Sequence, residues 1–249
     1  MSYRPRLTPW PTEYADRLPV IEIFYSIQGE GRFAGTPSVF IRLKYCNLGC
    51  AWCDTRFTWD EVNIEDGELQ TAEQISQRAR AAVPGAIDPL DRVHIVITGG
   101  EPMLHQDRLS DLIDSLKTVG FDFVEIETNG MFAPSEELVS RVDWWNCSPK
   151  LSNNLLDPEI QFVPHALEAF VATGKADFKF VLQSPHELEE IIETYLRLLP
   201  ADRIMIMPEG QTCARQLNAM SEIADICLEH GFRLSPRLHT LIWDNERGR

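Results

Sequence analysis

The sequence predicts an α/β fold on a parallel sheet, an incomplete TIM-like barrel, and three observations point to it. Short β-branched and aromatic runs recur along the chain, most of them separated by helical stretches. That alternation implies right-handed βαβ crossovers, whose functional groups gather at the carboxyl ends of the strands. A closed eight-fold barrel consumes about 250 residues, and the 249 residues here must also supply a Pro-rich arm and a cysteine-bearing loop.

Residues 1–19 read as the arm, with four prolines, and residues 20–249 as a single domain that includes a C-terminal tail covering the substrate. The strand runs are Val20 to Tyr25, Ser38 to Leu43, Val93 to Thr98, Phe121 to Thr128, Val142 to Cys147, Asp177 to Leu182, Arg203 to Met207 and Phe232 to Ser235. Thr71-Ala-Glu-Gln74 and Ser184-Pro-His-Glu187 are capping-box patterns that open helices, the second with Pro at the first helical position. Gly120 and Gly231 stand where helices stop. The stretch from Pro84 to Asp91 reads as a loop and the acidic run from Asp60 to Glu68 as solvated surface.

Composition excludes several classes. The formal net charge is −15, which disfavours nucleic acid, because phosphate-backbone binding rests on Lys and Arg. No apolar run approaches the ~18 residues of a membrane span, so the expectation is a cytoplasmic protein with no membrane partner. Six cysteines in a reducing compartment read as metal ligands and buried thiols, with Cys147, Cys213 and Cys227 in the core.

Three of those cysteines carry the chemistry. Cys46, Cys50 and Cys53 form a C-x3-C-x2-C run in a Gly-bearing loop, and no fourth Cys or His lies near in sequence. Structural zinc sites are closed by four ligands, whereas a cluster held by three thiolates leaves one iron for an outside ligand. Downstream, Thr98-Gly-Gly-Glu-Pro102 ends a strand run; its glycines let backbone approach a ligand closely. Glu125, Glu127 and Asn129 alternate onto one face, and Cys147-Ser-Pro-Lys150 ends another run.

The Cys loop with the Gly-Gly-Glu-Pro turn resembles the radical S-adenosylmethionine (SAM) superfamily. That resemblance implies a partial barrel of the radical SAM type, a 4Fe-4S cluster on Cys46, Cys50 and Cys53, and SAM chelated to the fourth iron. It places SAM against Trp52, Cys53 and Asp54, against Gly100 and Glu101 at the methionyl amino group, and against Ser148, Pro149 and Lys150. Thr98 and Glu127 would face the substrate.

Further motifs narrow the resemblance: Tyr25-Ser-Ile-Gln-Gly-Glu-Gly-Arg32, Phe40-Ile-Arg42, Trp52-Cys-Asp-Thr55, Phe57-Thr-Trp59 and the tail from Leu238 to Gly248. Together they look like the 7-carboxy-7-deazaguanine synthase family of the queuosine pathway. The family implies a lyase that contracts 6-carboxy-5,6,7,8-tetrahydropterin with loss of ammonia, SAM being used catalytically and Mg2+ bound at Thr55. It also implies an electron donor such as a flavodoxin or ferredoxin. Ile27, Gln28, Gly29 and Glu30 would read the pterin edge, Arg42 would grip its carboxylate through paired charge-assisted bonds, and Arg249, the last residue, would approach it too, since relatives place their chain terminus near the substrate. Met207-Pro-Glu-Gly210 departs from the Gln-Pro of some relatives, and His239 alone among the six His stands in a matched segment. An incomplete barrel with a covering tail favours a homodimer. The alternatives are a glycyl-radical-enzyme activase and a non-catalytic iron-sulfur electron-transfer module; the latter needs neither the glycine turn nor Arg42.

Overall fold

The computed structural model describes residues 16–157, 161–244 and 246–249. Residues 1–15 of the predicted arm lie outside the described residues, and Arg17 to Pro19 already belong to the first strand. Among the described residues no helix is long and apolar enough to cross a membrane. The chain divides into two compact units, one comprising residues up to Ser26, Thr36–Thr128 and Pro134–Trp144, the other Ile27–Gly35, Asn129–Ala133 and Trp145–Arg249.

In the first unit the strands β1 (Arg17–Ile27), β2 (Pro37–Leu43), β3 (Glu68–Thr71), β4 (His94–Gly99) and β5 (Phe123–Thr128) lie in the order β3-β1-β2-β4-β5. β2, β4 and β5 run parallel, with Arg42 opposite Thr98 and Ile97 opposite Ile126. Val39, Ile41, Leu43, Ile95, Val96, Ile97, Val124 and Ile126 are fully buried, a nearly continuous β-branched and aliphatic lining typical of strands covered on both faces.

Helix α1 (Ala72–Ala82) opens on the predicted capping box: Gln74 N–H donates to Thr71 Oγ1 at 3.3 Å and Thr71 N–H donates to Gln74 Oε1 at 2.9 Å. Helix α2 (Gln106–Thr118) buries Leu109, Leu112, Ile113 and Leu116, an i, i+3, i+4, i+7 stripe. Each such side chain is worth about 1.5–3 kcal/mol of burial. The two helices also share a Ser76–Ser115 hydroxyl contact of 2.8 Å. Helix α3 (Glu136–Arg141) is capped by Ser135.

The second unit carries β6 (Trp144–Cys147), β7 (Ala176–Leu182), β8 (Ile204–Pro208) and β9 (Arg233–Leu234), in that order and all parallel. Every residue of β7 and β8 is buried. Around them are helices α4 (Pro164–Ala172), α5 (Cys213–His230) and α6 (Leu238–Trp243). Gly231, at φ 69°, ends α5 as predicted, and Gly120, at φ 107°, follows α2.

Four local expectations are corrected. β3 falls at the margin of the acidic run and was not predicted: Leu18, Pro19 and Val20 pair antiparallel with Gln70, Leu69 and Glu68. Helical turns open after Ser184 with Pro185 first, as expected, but the box itself does not form; its carboxylate, Glu187, instead accepts from Gln183 N–H at 2.8 Å and Asn153 Nδ2 at 2.7 Å. The last strand run shortens to two residues because Phe232 N–H still bonds back to Cys227 of α5. Cys213 opens α5 half-buried rather than in the core, whereas Cys147 and Cys227 are buried.

Candidate active site

In the first unit the cysteine loop is joined to the end of β4 by backbone hydrogen bonds. Gly100 N–H donates to Leu43 O at 3.1 Å and Glu101 N–H to Tyr45 O at 2.8 Å. A Cβ on Gly100 would collide with the Tyr45 carbonyl and stand 2.9 Å from Cys46 N, and one on Gly99 would collide with Leu43 O and stand 2.6 Å from its amide nitrogen. The glycine pair therefore makes room for the loop's own backbone, a role the motif by itself did not reveal. Tyr45 takes φ 76°, a conformation costly for a non-glycine residue, and is held there by its N–H donating to Thr58 O at 2.8 Å and its carbonyl accepting from Glu101.

The three sulfurs lie in that loop. Cys46 Sγ accepts from Leu48 N–H at 3.4 Å, and Cys53 Sγ accepts from the Trp59 indole N–H at 3.2 Å. Burial pushes the Cys46 thiol well up, and Glu101, Cys50 and Cys53 add to this by charge repulsion, against the lowering by Leu48 N–H. Among the described residues no three His, Cys, Asp or Glu side chains converge as ligands of a single ion do; in a cluster each thiolate binds its own iron. Three soft sulfur donors in one loop, two of them receiving N–H bonds, fit an iron-sulfur group, since such bonds stabilise sulfur-borne charge. Trp52 beside them is half-buried and Asp54 exposed.

Thr55 precedes a short 3-10 turn, and its side chain makes no capping bond. Its Oγ1 lies 3.5 Å from Cys53 Sγ. A hydroxyl is an oxygen donor of the kind Mg2+ takes.

At the strand ends of the same unit three predicted substrate residues come together. Arg42 and Thr98 are register partners on β2 and β4, and Thr98 Oγ1 donates to Glu127 Oε2 of β5 at 2.9 Å. Arg42 also carries an ion pair that sequence reasoning missed, its Nε donating to Glu22 Oε1 of β1 at 2.7 Å. Glu101 is fully buried, its Oε1 accepting from Met103 N–H at 3.0 Å and from Thr128 Oγ1 at 2.7 Å. Glu125, predicted to share a polar face with Glu127, is itself buried.

In the second unit, Ile27 ends β1 and the turn Gln28 to Gly31 follows. Gln28 is buried, its Oε1 accepting from Glu30 N–H at 3.2 Å. The turn is clamped by the tail: Leu238 N–H donates to Gly29 O at 2.7 Å and Gly31 N–H to Ser235 Oγ at 2.9 Å. Gly29 packs so closely on His239 that a Cβ would collide with its ring. Glu30 is paired with Lys179 of β7 and with Arg237. Neither partner was visible as a site residue in the sequence.

Pro149 is buried after β6, Lys150 Nζ donates to Ser148 Oγ at 2.9 Å, and the Tyr195 hydroxyl donates to Lys150 O at 2.8 Å. Arg249 is exposed, paired with Glu246 at 3.0 Å and set over the Trp243 ring.

Residues 40–210 match the Radical SAM superfamily. A 7-carboxy-7-deazaguanine synthase from Pyrobaculum aerophilum is 37% identical over 237 residues, spanning 94% of this chain and 98% of its own. One from Hyperthermus butylicus is 36% identical over 231 residues, spanning 90% and 92%. The crystal structure of QueE from Escherichia coli is similar with a TM-score of 0.64 at 26% identity, over 88% of this chain and 93% of that one. With these similarities the fold class is α/β, an incomplete TIM-like barrel with a mostly parallel sheet.

Proposed function

The chain belongs to the 7-carboxy-7-deazaguanine synthase family of the radical SAM superfamily, and we propose that the residues described above carry the family's ring contraction. The substrate is a small molecule, 6-carboxy-5,6,7,8-tetrahydropterin, and the product 7-carboxy-7-deazaguanine, formed with release of ammonia in queuosine biosynthesis. When bound, the 4Fe-4S cluster and SAM would supply one-electron radical chemistry to the pterin.

Cys46, Cys50 and Cys53 hold the cluster. Trp52, Cys53, Asp54, Gly100, Glu101, Ser148, Pro149 and Lys150 would serve SAM, and Thr55 would offer its hydroxyl oxygen to Mg2+. Arg42 orients that carboxylate by paired charge-assisted bonds, its Nε already steadied by Glu22. Thr98 and Glu127 contact the ring, and Ile27, Gln28, Gly29 and Glu30 read its edge. Arg249, the further substrate contact in this reading, is exposed and paired with Glu246.

Residues 20–249 act as one catalytic domain. The remaining expectations, a cytoplasmic location, a homodimer and a flavodoxin or ferredoxin donor, are proposed with them; six unbridged cysteines support a reducing compartment.

The observation that carries the reading is the backbone junction of Gly100 and Glu101 with Leu43 and Tyr45, which fixes the three-cysteine loop beside the strand ends bearing Arg42 and Thr98. The test is anaerobic reconstitution. With dithionite and SAM the protein should release 5′-deoxyadenosine, and with carboxytetrahydropterin it should form the deazaguanine. Cys50→Ala should abolish both, whereas Arg42→Ala should keep the cluster and raise KM for the pterin. Normal turnover by Arg42→Ala overturns its carboxylate role.

A further inference from the structure

Lys179 lies in the middle of β7, a strand whose seven residues are all buried, and is itself 4% exposed. Placing an ammonium there costs several kcal/mol of lost hydration unless a partner offsets it. The partner is Glu30, whose Oε2 accepts from Lys179 Nζ and whose Oε1 accepts from Arg237 Nε at 3.0 Å. Arg237 is anchored in turn, its Nη1 donating to Gly210 O at 3.1 Å, and that carbonyl also accepts from Gln216 Nε2 at 2.9 Å.

One buried and two partly buried charged groups are thus gathered around one short turn. Apolar residues of similar volume would stabilise a fold as well or better, so stability alone does not account for them. Burial pushes the Glu30 carboxyl up, but the charges of Lys179, Arg237 and His239 outweigh it and hold the group well below the usual carboxylate range. A carboxylate has about four acceptor directions. One on each oxygen is taken by a cation, which leaves the others for two neighbouring N–H donors. A 2-amino-4-oxopyrimidine ring, the common part of pterins and guanines, offers such a pair from its amino group and adjacent ring nitrogen.

We propose that Lys179 and Arg237 are positioning residues that fix the direction of the Glu30 carboxylate so that it accepts the paired N–H donors of a 2-amino-4-oxopyrimidine ring. This rests on the reading of Glu30 as a substrate contact. In this role Lys179 and Arg237 would act on the substrate through Glu30, and that makes the idea testable apart from any general structural role.

The experiment uses the reconstituted holoenzyme and four variants: Lys179→Met, Lys179→Arg, Glu30→Gln and the Glu30→Gln/Lys179→Met double substitution. Lys179→Met should raise KM for carboxytetrahydropterin about tenfold with kcat within about threefold, and Lys179→Arg should recover most of that loss. In the Glu30→Gln background, Lys179→Met should change KM by less than about twofold, because its target has already gone. Arg237→Gln, alone and with Glu30→Gln, repeats the cycle at the other oxygen should Lys179→Met not fold. Equal multiplication of KM in both backgrounds, or no change from either single substitution, overturns the positioning role. A wild-type holoenzyme that cleaves SAM yet leaves the pterin unchanged overturns instead the substrate reading on which it stands.

Discussion

Thr98 Oγ1 donates to Glu127 Oε2 at 2.9 Å, joining the end of β4 to the end of β5, with Arg42 alongside Thr98 in register on β2. The bond holds the Glu127 carboxylate toward the end of β4. Thr98→Val keeps the side-chain shape and removes the donor, so about tenfold should be lost from turnover of the pterin, the worth of one hydrogen bond to a charged group. Cleavage of SAM and iron content should stay at wild-type levels. Chromatography of 5′-deoxyadenosine and deazaguanine from the same reaction reads both, and a parallel fall in the two would assign the bond to the fold rather than to the substrate.

Gly100→Ala should be far more damaging than its size implies. The added methyl runs into the Tyr45 carbonyl, backbone that has no rotamer with which to retreat, so the loop itself must move. Iron bound after reconstitution and the melting temperature should both drop. Gly85→Ala, where a Cβ meets nothing within 4 Å, serves as the control and should be neutral or stabilise by up to about 1 kcal/mol.

Thr55 makes no capping bond, so its loss should leave the local turn intact. Thr55→Ala should shift the Mg2+ concentration needed for half-maximal activity upward by about tenfold, and Thr55→Ser should restore it, as expected of a hydroxyl ligand. A Mg2+ titration that superimposes on wild type would remove Thr55 from the metal.

His105 is 2% exposed, its Nε2–H donating to Lys44 O at 2.9 Å. Burial pulls its pKa from the usual 6.5 down to about 4. Because the unfolded chain takes up this proton first, stability falls as pH drops from 6.5 toward 4, by up to about 3 kcal/mol, and is unaffected above 6.5. His105→Gln, which keeps a donor for Lys44, should flatten the acid limb of unfolding free energy against pH. An unchanged slope would show that other groups govern it.

What the sequence disclosed follows the reach of its patterns. The cysteine spacing, the glycine pair and the Thr71 box are local patterns, and the Thr71 box formed where it was read. Lys179 and Arg237 bond Glu30 across 149 and 207 residues, and a lone lysine in Ala-Asp-Phe-Lys-Phe-Val-Leu reads as the polar face of a strand. Only the fully buried β7 turns it into a statement about Glu30. β3 escaped because four residues beside an acidic run carry too little periodicity, and Ser184 misled because Glu187 found better donors in Asn153 and Gln183.

Main-chain bonding of Gly100 and Glu101 to Leu43 and Tyr45 joins two stretches of chain more than fifty residues apart through peptide groups. A change of side chain at Leu43 or Glu101 therefore removes neither the donor nor the acceptor of this junction.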